Sequence, residues 1–285
     1  MVKWFTKIPS WAALSLVMNG LLFTTVLAVS QEATVKADQL VAEGSVMTLS
    51  AGGDDPSVID AAIADNVVEL PHPSGGRKLS YQDWIEVLSS DAKAAASKNP
   101  EHLTVLLGDS LSLWFPGELM PGRRVWINQS ISGEKTQGLL NRLELLDDNE
   151  VEAVFIMIGI NDLIWGETDD EILDNYKKIV SELKKDHPDT QIVVQSILPH
   201  SGENSTWESR DKLLALPSDR IVSMNASLKQ IADDNDAYYL DLYPIFVTGD
   251  GTLRPDLTTD GLHLNRQGYL VWRSAIALYA QLELQ

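Results

Sequence analysis

The sequence predicts an α/β fold in which a parallel β-sheet carries helices on both faces, and three observations support this prediction. From residue 103 onwards, short apolar runs alternate with longer segments of helical periodicity, as in repeated strand–helix–strand units. Residues 153–158 are apolar throughout, which is typical of a central strand that is buried on both faces. Residues 103–107 form a second such run, which ends abruptly in Gly108, Asp109 and Ser110, where a parallel sheet binds its ligands.

The predicted strands and helices follow one another along the chain. The strands are placed at residues 103–107, 125–128, 153–158, 191–197 and 238–242. The helices are placed at residues 80–98, 136–146, 169–187, 219–234 and from Asn265 onwards. Thr168 and Glu171 have the spacing of a capping box that opens the third helix, and Pro188 ends it. The buried face of the last helix is predicted to consist of Tyr269, Trp272, Ile276 and Tyr279.

A serine that could act as a nucleophile follows the first predicted strand. A serine hydroxyl is a weak nucleophile until an imidazole removes its proton, and that imidazole needs a carboxylate to orient it. Asp260 and His263 lie three residues apart near the C-terminus, so both could serve Ser110. Taken alone, each segment also fits an ordinary turn, because Gly, Asp and Ser are common turn residues. Asp109 is expected to support its loop rather than to take part in chemistry.

Two further polar segments follow predicted strands between the serine and the histidine. Gly133 allows its backbone N–H to approach a ligand closely, and Asn161 offers a neutral side-chain donor, so both could serve an oxyanion hole. Each also fits a tight turn or a helix cap. Asp162 is expected to support its loop, and a structural role is favoured for His200.

Four short motifs occur in order along the chain, and together they resemble the four sequence blocks of the SGNH (GDSL) hydrolases. The motifs are Gly108-Asp109-Ser110-Leu111, Gly133, Gly159-x-Asn161-Asp162 and Asp260-x-x-His263. Their joint occurrence is far more specific than any one of them, and the resemblance covers residues 101–285. It implies a flavodoxin-like three-layer α/β/α sandwich with a sheet of about five parallel strands, and esterase activity without a cofactor.

The resemblance also implies a role for each matching position. Ser110 resembles the nucleophile, His263 the general base and Asp260 the acid that orients the base. The oxyanion donors are implied to be the Ser110 N–H, the Gly133 N–H and the Asn161 side chain. An acyl-enzyme would form on Ser110, and His263 would then activate water for its hydrolysis.

Composition limits the classes of function. The chain has 41 acidic and 22 basic residues and a formal charge of −19, a surface that repels nucleic acids and anionic membrane headgroups. It contains no cysteine, which excludes disulfides, thiolate catalysis and thiolate metal sites. No two histidines have ligand spacing on a helix, so no metal site is predicted. The expected partner is a small-molecule or glycan ester substrate, and no nucleic acid or protein partner is predicted.

The N-terminal segment is predicted to engage the membrane at least during export. Lys3 and Lys7 precede residues 8–31, which contain no charged side chain. This pattern predicts that residues 1–30 are a signal peptide or a retained N-terminal anchor, and that the rest of the chain is periplasmic, anchored at the inner membrane or secreted. Small residues at Ala28 and Ser30 favour cleavage, whereas the length of the run favours retention.

Three further regions are predicted after this segment. Residues 31–78 are rich in small, acidic and turn-forming side chains and are expected to be a flexible spacer. Residues 79–100 are expected to form a helix that docks on the catalytic domain, residues 101–285.

The predicted substrate follows from the loops that would roof the site. Residues 111–123 and 200–217 contain isolated aromatic and apolar side chains among charged ones: Trp114, Phe115, Trp207 and Leu213. Such surfaces suit sugars, whereas long acyl chains need a continuous apolar groove. The first hypothesis is therefore a short-acyl, acetyl-like ester of a glycan or small molecule. A lysophospholipase or lipase-like activity is the second, and a non-catalytic envelope glycan-binding or scaffold protein is the alternative from another class.

Overall fold

The computed structural model describes residues 79–284. The predicted leader and spacer, residues 1–78, therefore lie outside the described residues.

The strands are β1 Leu103–Gly108, β2 Val125–Asn128, β3 Ala153–Met157, β4 Gln191–Gln195 and β5 Tyr238–Leu240. The α-helices are α1 Tyr81–Lys98, α2 Ser110–Leu113, α3 Thr136–Leu140, α4 Ile160–Trp165, α5 Asp169–Asp186, α6 Arg210–Leu214, α7 Ser218–Asp234, α8 Tyr243–Phe246 and α9 Arg266–Glu283. Short 3₁₀ turns lie at Gly117–Leu119, Leu143–Leu146, Gly202–Asn204 and Pro255–Leu257.

The strands form one parallel sheet in the order β2-β1-β3-β4-β5. The predicted α/β fold with five parallel strands is thus confirmed. Every residue of β1 and β3 is buried, as their apolar sequences predict for central strands. The chain passes from β1 to one edge of the sheet and then returns to β3 on the other side. The loops after β1 and β3 therefore flank the point where the strand order reverses, which is where sheets of this order bind ligands.

Three strands end earlier than predicted because side chains bond the backbone groups that follow them. The Tyr176 hydroxyl accepts from the Ile158 N–H at 3.2 Å and donates to the Ile158 carbonyl at 2.7 Å, so β3 stops at Met157. After β4, the Asn225 side chain accepts from the Ile197 N–H at 2.8 Å and donates to the Ile197 carbonyl at 2.9 Å. After β5, the Ser196 hydroxyl accepts from the N–H groups of Leu242 and Tyr243 at 2.8 and 2.9 Å. These bonds satisfy backbone groups that would otherwise pair along the sheet.

The predicted helix at residues 136–146 is wrong as a single element. Helix α3 ends at Leu140, and a 3₁₀ turn begins at Leu143. Between them, Arg142 adopts φ −128° and ψ 12° and directs its guanidinium to the buried carboxylate of Glu134. An interaction of this kind is not visible in helical periodicity.

Helix α1 packs against the edge of the sheet next to β2. Its capping box, formed by Ser80 and Asp83, fixes the start of the helix, and Leu88, Ala92 and Ala95 are buried. The carbonyl of Leu88 accepts a hydrogen bond from the side chain of Gln129 at 3.0 Å, and that of Ala92 accepts one from Asn149 at 3.0 Å. Within residues 79–284, no helix is long and apolar enough to cross a membrane.

Candidate active site

The serine turn, residues 108–113, joins β1 to α2. A Cβ atom on Gly108 would lie 2.2 Å from the carbonyl oxygen of Met157 and 2.4 Å from Ser112 Oγ, so only glycine fits at this strand end. Asp109 caps the helix because its Oδ1 accepts the Leu111 N–H at 3.0 Å. Ser110 is consequently the first helical residue, at the carboxyl edge of β1.

Ser110, His263 and Asp260 form an uninterrupted chain of hydrogen bonds. Ser110 Oγ lies 3.0 Å from His263 Nε2, and His263 Nδ1 lies 2.7 Å from Asp260 Oδ2. Ser110 and His263 are 7% and 6% exposed, which keeps bulk water away while leaving part of each group accessible. The structure thus brings together three residues that the sequence places in two distant segments.

The Asp260 carboxylate is held as an anion by its donors. Its Oδ1 accepts the backbone N–H groups of Leu262 at 2.9 Å and of His263 at 2.8 Å. Burial alone would raise the pKa of Asp260, but the hydrogen bonds from the His263 side chain and from these two N–H groups outweigh it and lower the pKa below its usual value. The group next to the imidazole is therefore a carboxylate at neutral pH.

The histidine loop, residues 258–264, is held in place by the segment that follows β4. The Asp260 carbonyl accepts hydrogen bonds from Ser205 Oγ at 2.7 Å, from the Thr206 N–H at 2.8 Å and from the Trp207 N–H at 3.0 Å. Gly261 has φ +90°, and a Cβ atom there would lie 2.7 Å from Ser205 Cα, so the two segments approach as closely as glycine permits. The sequence analysis missed these supporting residues, since nothing in the sequence pairs them with Asp260.

Gly133 and Asn161, two of the three predicted oxyanion donors, follow β2 and β3 at the same edge of the sheet. Gly133 is exposed in the loop after β2, with φ +78° and open space where a Cβ atom would be. Asn161 lies in the first turn of α4, and its Nδ2 donates to the Glu134 carbonyl at 3.1 Å. An amide nitrogen carries two hydrogens, so this bond orients the Asn161 side chain and leaves a second donor on it.

A buried ion pair stabilises the loop that carries Gly133. Arg142 Nε donates to Glu134 Oε1 at 2.9 Å and Arg142 Nη2 donates to Oε2 at 2.6 Å, in a two-point arrangement. The two side chains are 4% and 1% exposed. The sequence analysis assigned no role to either residue, and one sequence gives no signal for this pairing.

Asp109 and Asp162 both support local structure, as expected from the sequence. Asp162 accepts the Thr136 N–H with both oxygens, at 3.1 and 3.0 Å, and so fixes the start of α3. Asp109 is fully buried, and in the described part of the chain its Oδ2 has no hydrogen-bond partner. Burial, reinforced by the nearby carboxylates of Asp162 and Glu134, raises the pKa of Asp109 to about 7 despite the Leu111 N–H.

The predicted roof of the site is only partly correct. Phe115 is 4% exposed and packs on Tyr269 and Trp272, and Leu213 is fully buried, so neither faces a substrate. Leu213 lies on the short helix α6 and Phe115 in the bend after α2, and the interpretation of both segments as loops missed that these two side chains turn inward. Trp114, by contrast, is 44% exposed, and its ring centroid lies 4.2 Å from that of His263.

The other polar groups of this region have structural partners. His200 is buried; its Nε2 lies 2.9 Å from the Leu216 carbonyl oxygen, and its Nδ1 accepts the Gly202 N–H at 3.0 Å, as a structural histidine does. Burial, only partly offset by the Leu216 carbonyl, lowers the pKa of His200. Among residues 79–284, no three His, Cys, Asp or Glu side chains are grouped closely enough to hold a metal ion.

Comparison with known proteins gives consistent results. A sequence model of the GDSL-like lipase/acylhydrolase family matches residues 90–271. Platelet-activating factor acetylhydrolase IB subunit alpha1 of Bos taurus is 27% identical over 184 residues, which are 61% of this chain and 73% of that protein.

Two solved structures share the fold. A platelet activating factor from Streptococcus pneumonia superposes with a TM-score of 0.62 at 23% identity, over 70% of this chain and 93% of that one. A GDSL-like lipase from Bacteroides thetaiotaomicron superposes with a TM-score of 0.56 at 21% identity, over 68% of this chain and 98% of that one.

Proposed function

The chain belongs to the GDSL-like lipase/acylhydrolase family, and on that premise we propose that it is a serine ester hydrolase that uses Ser110, His263 and Asp260. The observation that carries the proposal is the hydrogen-bond chain from Ser110 Oγ through the imidazole to the Asp260 carboxylate, with contacts of 3.0 and 2.7 Å. This arrangement has the connectivity that general-base activation of a serine requires.

The reaction proceeds in two steps. In the first, His263 Nε2 takes the Ser110 proton while Ser110 Oγ attacks the ester carbonyl, and the imidazolium then gives this proton to the departing alcohol. In the second, His263 removes a proton from water, which attacks the acyl-enzyme, and returns it to Ser110. Asp260 stabilises the imidazolium in both steps, in keeping with its lowered pKa.

Negative charge develops on the carbonyl oxygen in both steps. The proposed donors are the Ser110 N–H, the Gly133 N–H and the second hydrogen of Asn161 Nδ2. Support for Asn161 comes from its 3.1 Å bond to the Glu134 carbonyl, which fixes the amide before substrate arrives. Donors that need no rearrangement during the reaction contribute most to the rate.

The test replaces the nucleophile and a neighbouring serine in parallel. Ser110→Ala should lower ester hydrolysis by about three to six orders of magnitude and abolish labelling by a fluorophosphonate. Ser112→Ala is the matched control, because Ser112 is a buried serine of the same short helix without a bond to His263, and it should keep activity and labelling. An active or still labelled Ser110→Ala protein would remove Ser110 from the mechanism, and an unlabelled, inactive wild type would favour the non-catalytic alternative.

The proposed substrate is a short-acyl, acetyl-like ester of a glycan or small molecule. Burial of Phe115 and Leu213 removes two of the apolar side chains that could have lined an acyl channel, while Trp114 stays exposed beside the imidazole. The relative from Bos taurus is by its name an acetylhydrolase, which agrees with a small acyl group.

A series of p-nitrophenyl esters from acetyl to decanoyl separates this proposal from a lysophospholipase or lipase-like activity. A long-chain site should raise kcat/KM by about fourfold per methylene, from a gain of about 0.8 kcal/mol each. A maximum of kcat/KM at the acetyl or propionyl ester supports the short-acyl proposal. A steady rise of kcat/KM through the decanoyl ester contradicts it and favours the lysophospholipase or lipase-like hypothesis.

We also propose that the enzyme acts outside the cytoplasm. The support is the sequence pattern of Lys3 and Lys7 followed by the uncharged run at residues 8–31. Cell fractionation of the full chain should find the protein in the periplasm, at the inner membrane or in the medium. A predominantly cytosolic protein would contradict this proposal without affecting the catalytic one.

A further inference from the structure

Trp114 is placed by the same short helix that carries the proposed nucleophile. Ser110 opens α2, and the Trp114 N–H donates to the Ser110 carbonyl at 3.1 Å, one helical turn later. Trp114 is the C-cap residue of α2, and its indole lies on the same side as the Ser110 hydroxyl because both contact His263. The position of the indole is therefore tied to that of Ser110 by the backbone.

The indole ring contacts the imidazole and still leaves much of its surface free. The ring centroids of Trp114 and His263 are 4.2 Å apart at an interplanar angle of 37°, while Trp114 remains 44% exposed. The next residue, Phe115, is 4% exposed and belongs to the core. Phe115 fills the core at this point, whereas the Trp114 indole stays largely exposed, so core packing does not explain where the indole lies.

Reaction chemistry identifies which part of an ester lies beside Trp114. In the first step the imidazolium must protonate the oxygen of the departing alcohol, so that oxygen lies next to His263. The carbonyl oxygen points to the loops that carry Gly133 and Asn161 instead. Because the indole of Trp114 lies against the imidazole, the alcohol group attached to the departing oxygen lies next to the indole. The acyl group has no such requirement.

We propose that Trp114 is the platform for the alcohol portion of the ester, and that it binds a six-membered ring such as a pyranose through the apolar face of that ring. The inference rests on the proposed ester hydrolysis. An indole supplies a large, rigid apolar surface with a polar edge, which suits a sugar ring better than a flexible chain. Trp114 then acts in the first step only, because the alcohol has left before water attacks the acyl-enzyme.

The test keeps the acetyl group constant and varies the alcohol. Wild type, Trp114→Ala and Trp114→Phe are compared on a monoacetylated methyl pyranoside, p-nitrophenyl acetate and ethyl acetate. Trp114→Ala should lower kcat/KM by about 10- to 100-fold for the two ring alcohols and by less than about threefold for ethyl acetate. Trp114→Phe should restore most of the loss. Comparing each variant with wild type on the same substrate cancels the differing reactivity of the leaving groups.

A second measurement follows hydrolysis of the acetyl-enzyme after rapid acetylation. Its rate should be equal in wild type and Trp114→Ala, because the alcohol is absent from this step. A slower second step, or an equal loss of kcat/KM for all three alcohols, would mean that Trp114 only positions His263 and would overturn the proposal. No loss for any alcohol would overturn it as well.

Trp165→Ala is the matched control. Trp165 is 49% exposed and contacts Lys212, whose Nζ lies 5.4 Å from the ring centroid, and not His263. Its replacement should not change the ranking of the three alcohols. If Trp165→Ala lowered kcat/KM for the ring alcohols as Trp114→Ala does, the preference for ring alcohols would not depend on the indole beside His263, and the proposed role of Trp114 would be overturned.

A binding measurement keeps this inference separate from the proposed function. If wild type hydrolyses none of the esters, the proposed function fails, and the platform is judged by saturation-transfer NMR with a methyl pyranoside. Ser110→Ala protein should then show transfer to the sugar ring protons, and the Ser110→Ala/Trp114→Ala protein should lose it. Equal or absent transfer in the two proteins would overturn the platform.

Discussion

The serine turn and the histidine loop each contain an aspartate close to the Ser110–His263 pair, and the pKa values of the two aspartates shift in opposite directions. Asp260 receives three N–H donors from its own loop, and its pKa is lowered. Asp109 is more deeply buried, receives one donor at 3.0 Å, and has a pKa raised to about 7. Full burial and two neighbouring carboxylates outweigh the single donor of Asp109, whereas the donors of Asp260 outweigh its partial burial. The balance between burial and donors, and not proximity to the serine, therefore sets the direction of each pKa shift.

This difference also separates the two roles. An anionic Asp260 can stabilise the positive charge that forms on His263, and its position fixes which imidazole nitrogen keeps a proton. Asp109 needs only one oxygen to cap α2, and it performs this role whether or not it is ionised. Three substitutions test how burial and pairing affect these buried acids.

Asp260→Asn should produce the largest effect. The substitution removes the negative charge and leaves an amide that favours the wrong imidazole tautomer, so kcat should fall by about four orders of magnitude. Ester hydrolysis measures the loss, and circular dichroism checks that the fold persists. Asp256→Asn is the control, since Asp256 lies on the same segment but pairs with Arg254 at 2.7 Å. Comparable activity losses in the two variants would refute a specific role for Asp260.

Arg142→Met should have the next largest effect, because it turns a paired buried carboxylate into an unpaired one. Glu134 would then resemble Asp109, and the free energy of unfolding should fall by about 3–5 kcal/mol. Urea denaturation measures this change, and the added Glu134→Gln substitution should recover much of it. Lys177→Met, which breaks an exposed pair with Asp174, should cost less than about 1 kcal/mol. Similar losses for both pairs would contradict the importance of burial.

Asp109→Asn should have the smallest effect and the opposite sign. Because the folded-state pKa of about 7 exceeds the usual 3.8, the folded protein binds more protons between these values, and Asp109 makes stability fall as pH rises from 4 to 7. An amide keeps the acceptor for Leu111 and removes this dependence. The variant should be more stable than wild type by about 1–2 kcal/mol at pH 8 and lose that advantage near pH 4. Parallel unfolding curves across this range would show that Asp109 does not titrate as described.

The sequence predicts most of the fold because its signals are local. The apolar runs at β1 and β3 and the capping box at Thr168 identify their elements almost to the residue. The failures arise where a distant side chain competes with local preference. Tyr176 ends β3 by bonding both backbone groups of Ile158, and Arg142 interrupts a helix to reach Glu134.

The candidate site likewise contains residues that the sequence predicts and residues that it does not. Ser110, Asp260 and His263 could be selected because the chemistry of each residue is apparent from its type and its position after a strand or on a late loop. The residues that support them could not be selected, because the Ser205 hydroxyl and the Thr206 N–H donate to the backbone carbonyl of Asp260, an acceptor that every residue carries. Phe115 was misplaced because exposure depends on how the chain turns and not on residue type.

The hydrogen bond between Ser110 and His263 joins residues that are 153 positions apart in the sequence. Closing so long a loop carries a large entropic cost, which local helices cannot repay before the sheet has formed. The histidine also lies immediately before α9, whose Trp272 Nε1 donates to Gln195 Oε1 on β4 at 2.7 Å. On the proposed mechanism, a chain emerging from the ribosome therefore cannot hydrolyse esters until α9, which follows His263, has been synthesised and has docked on the sheet.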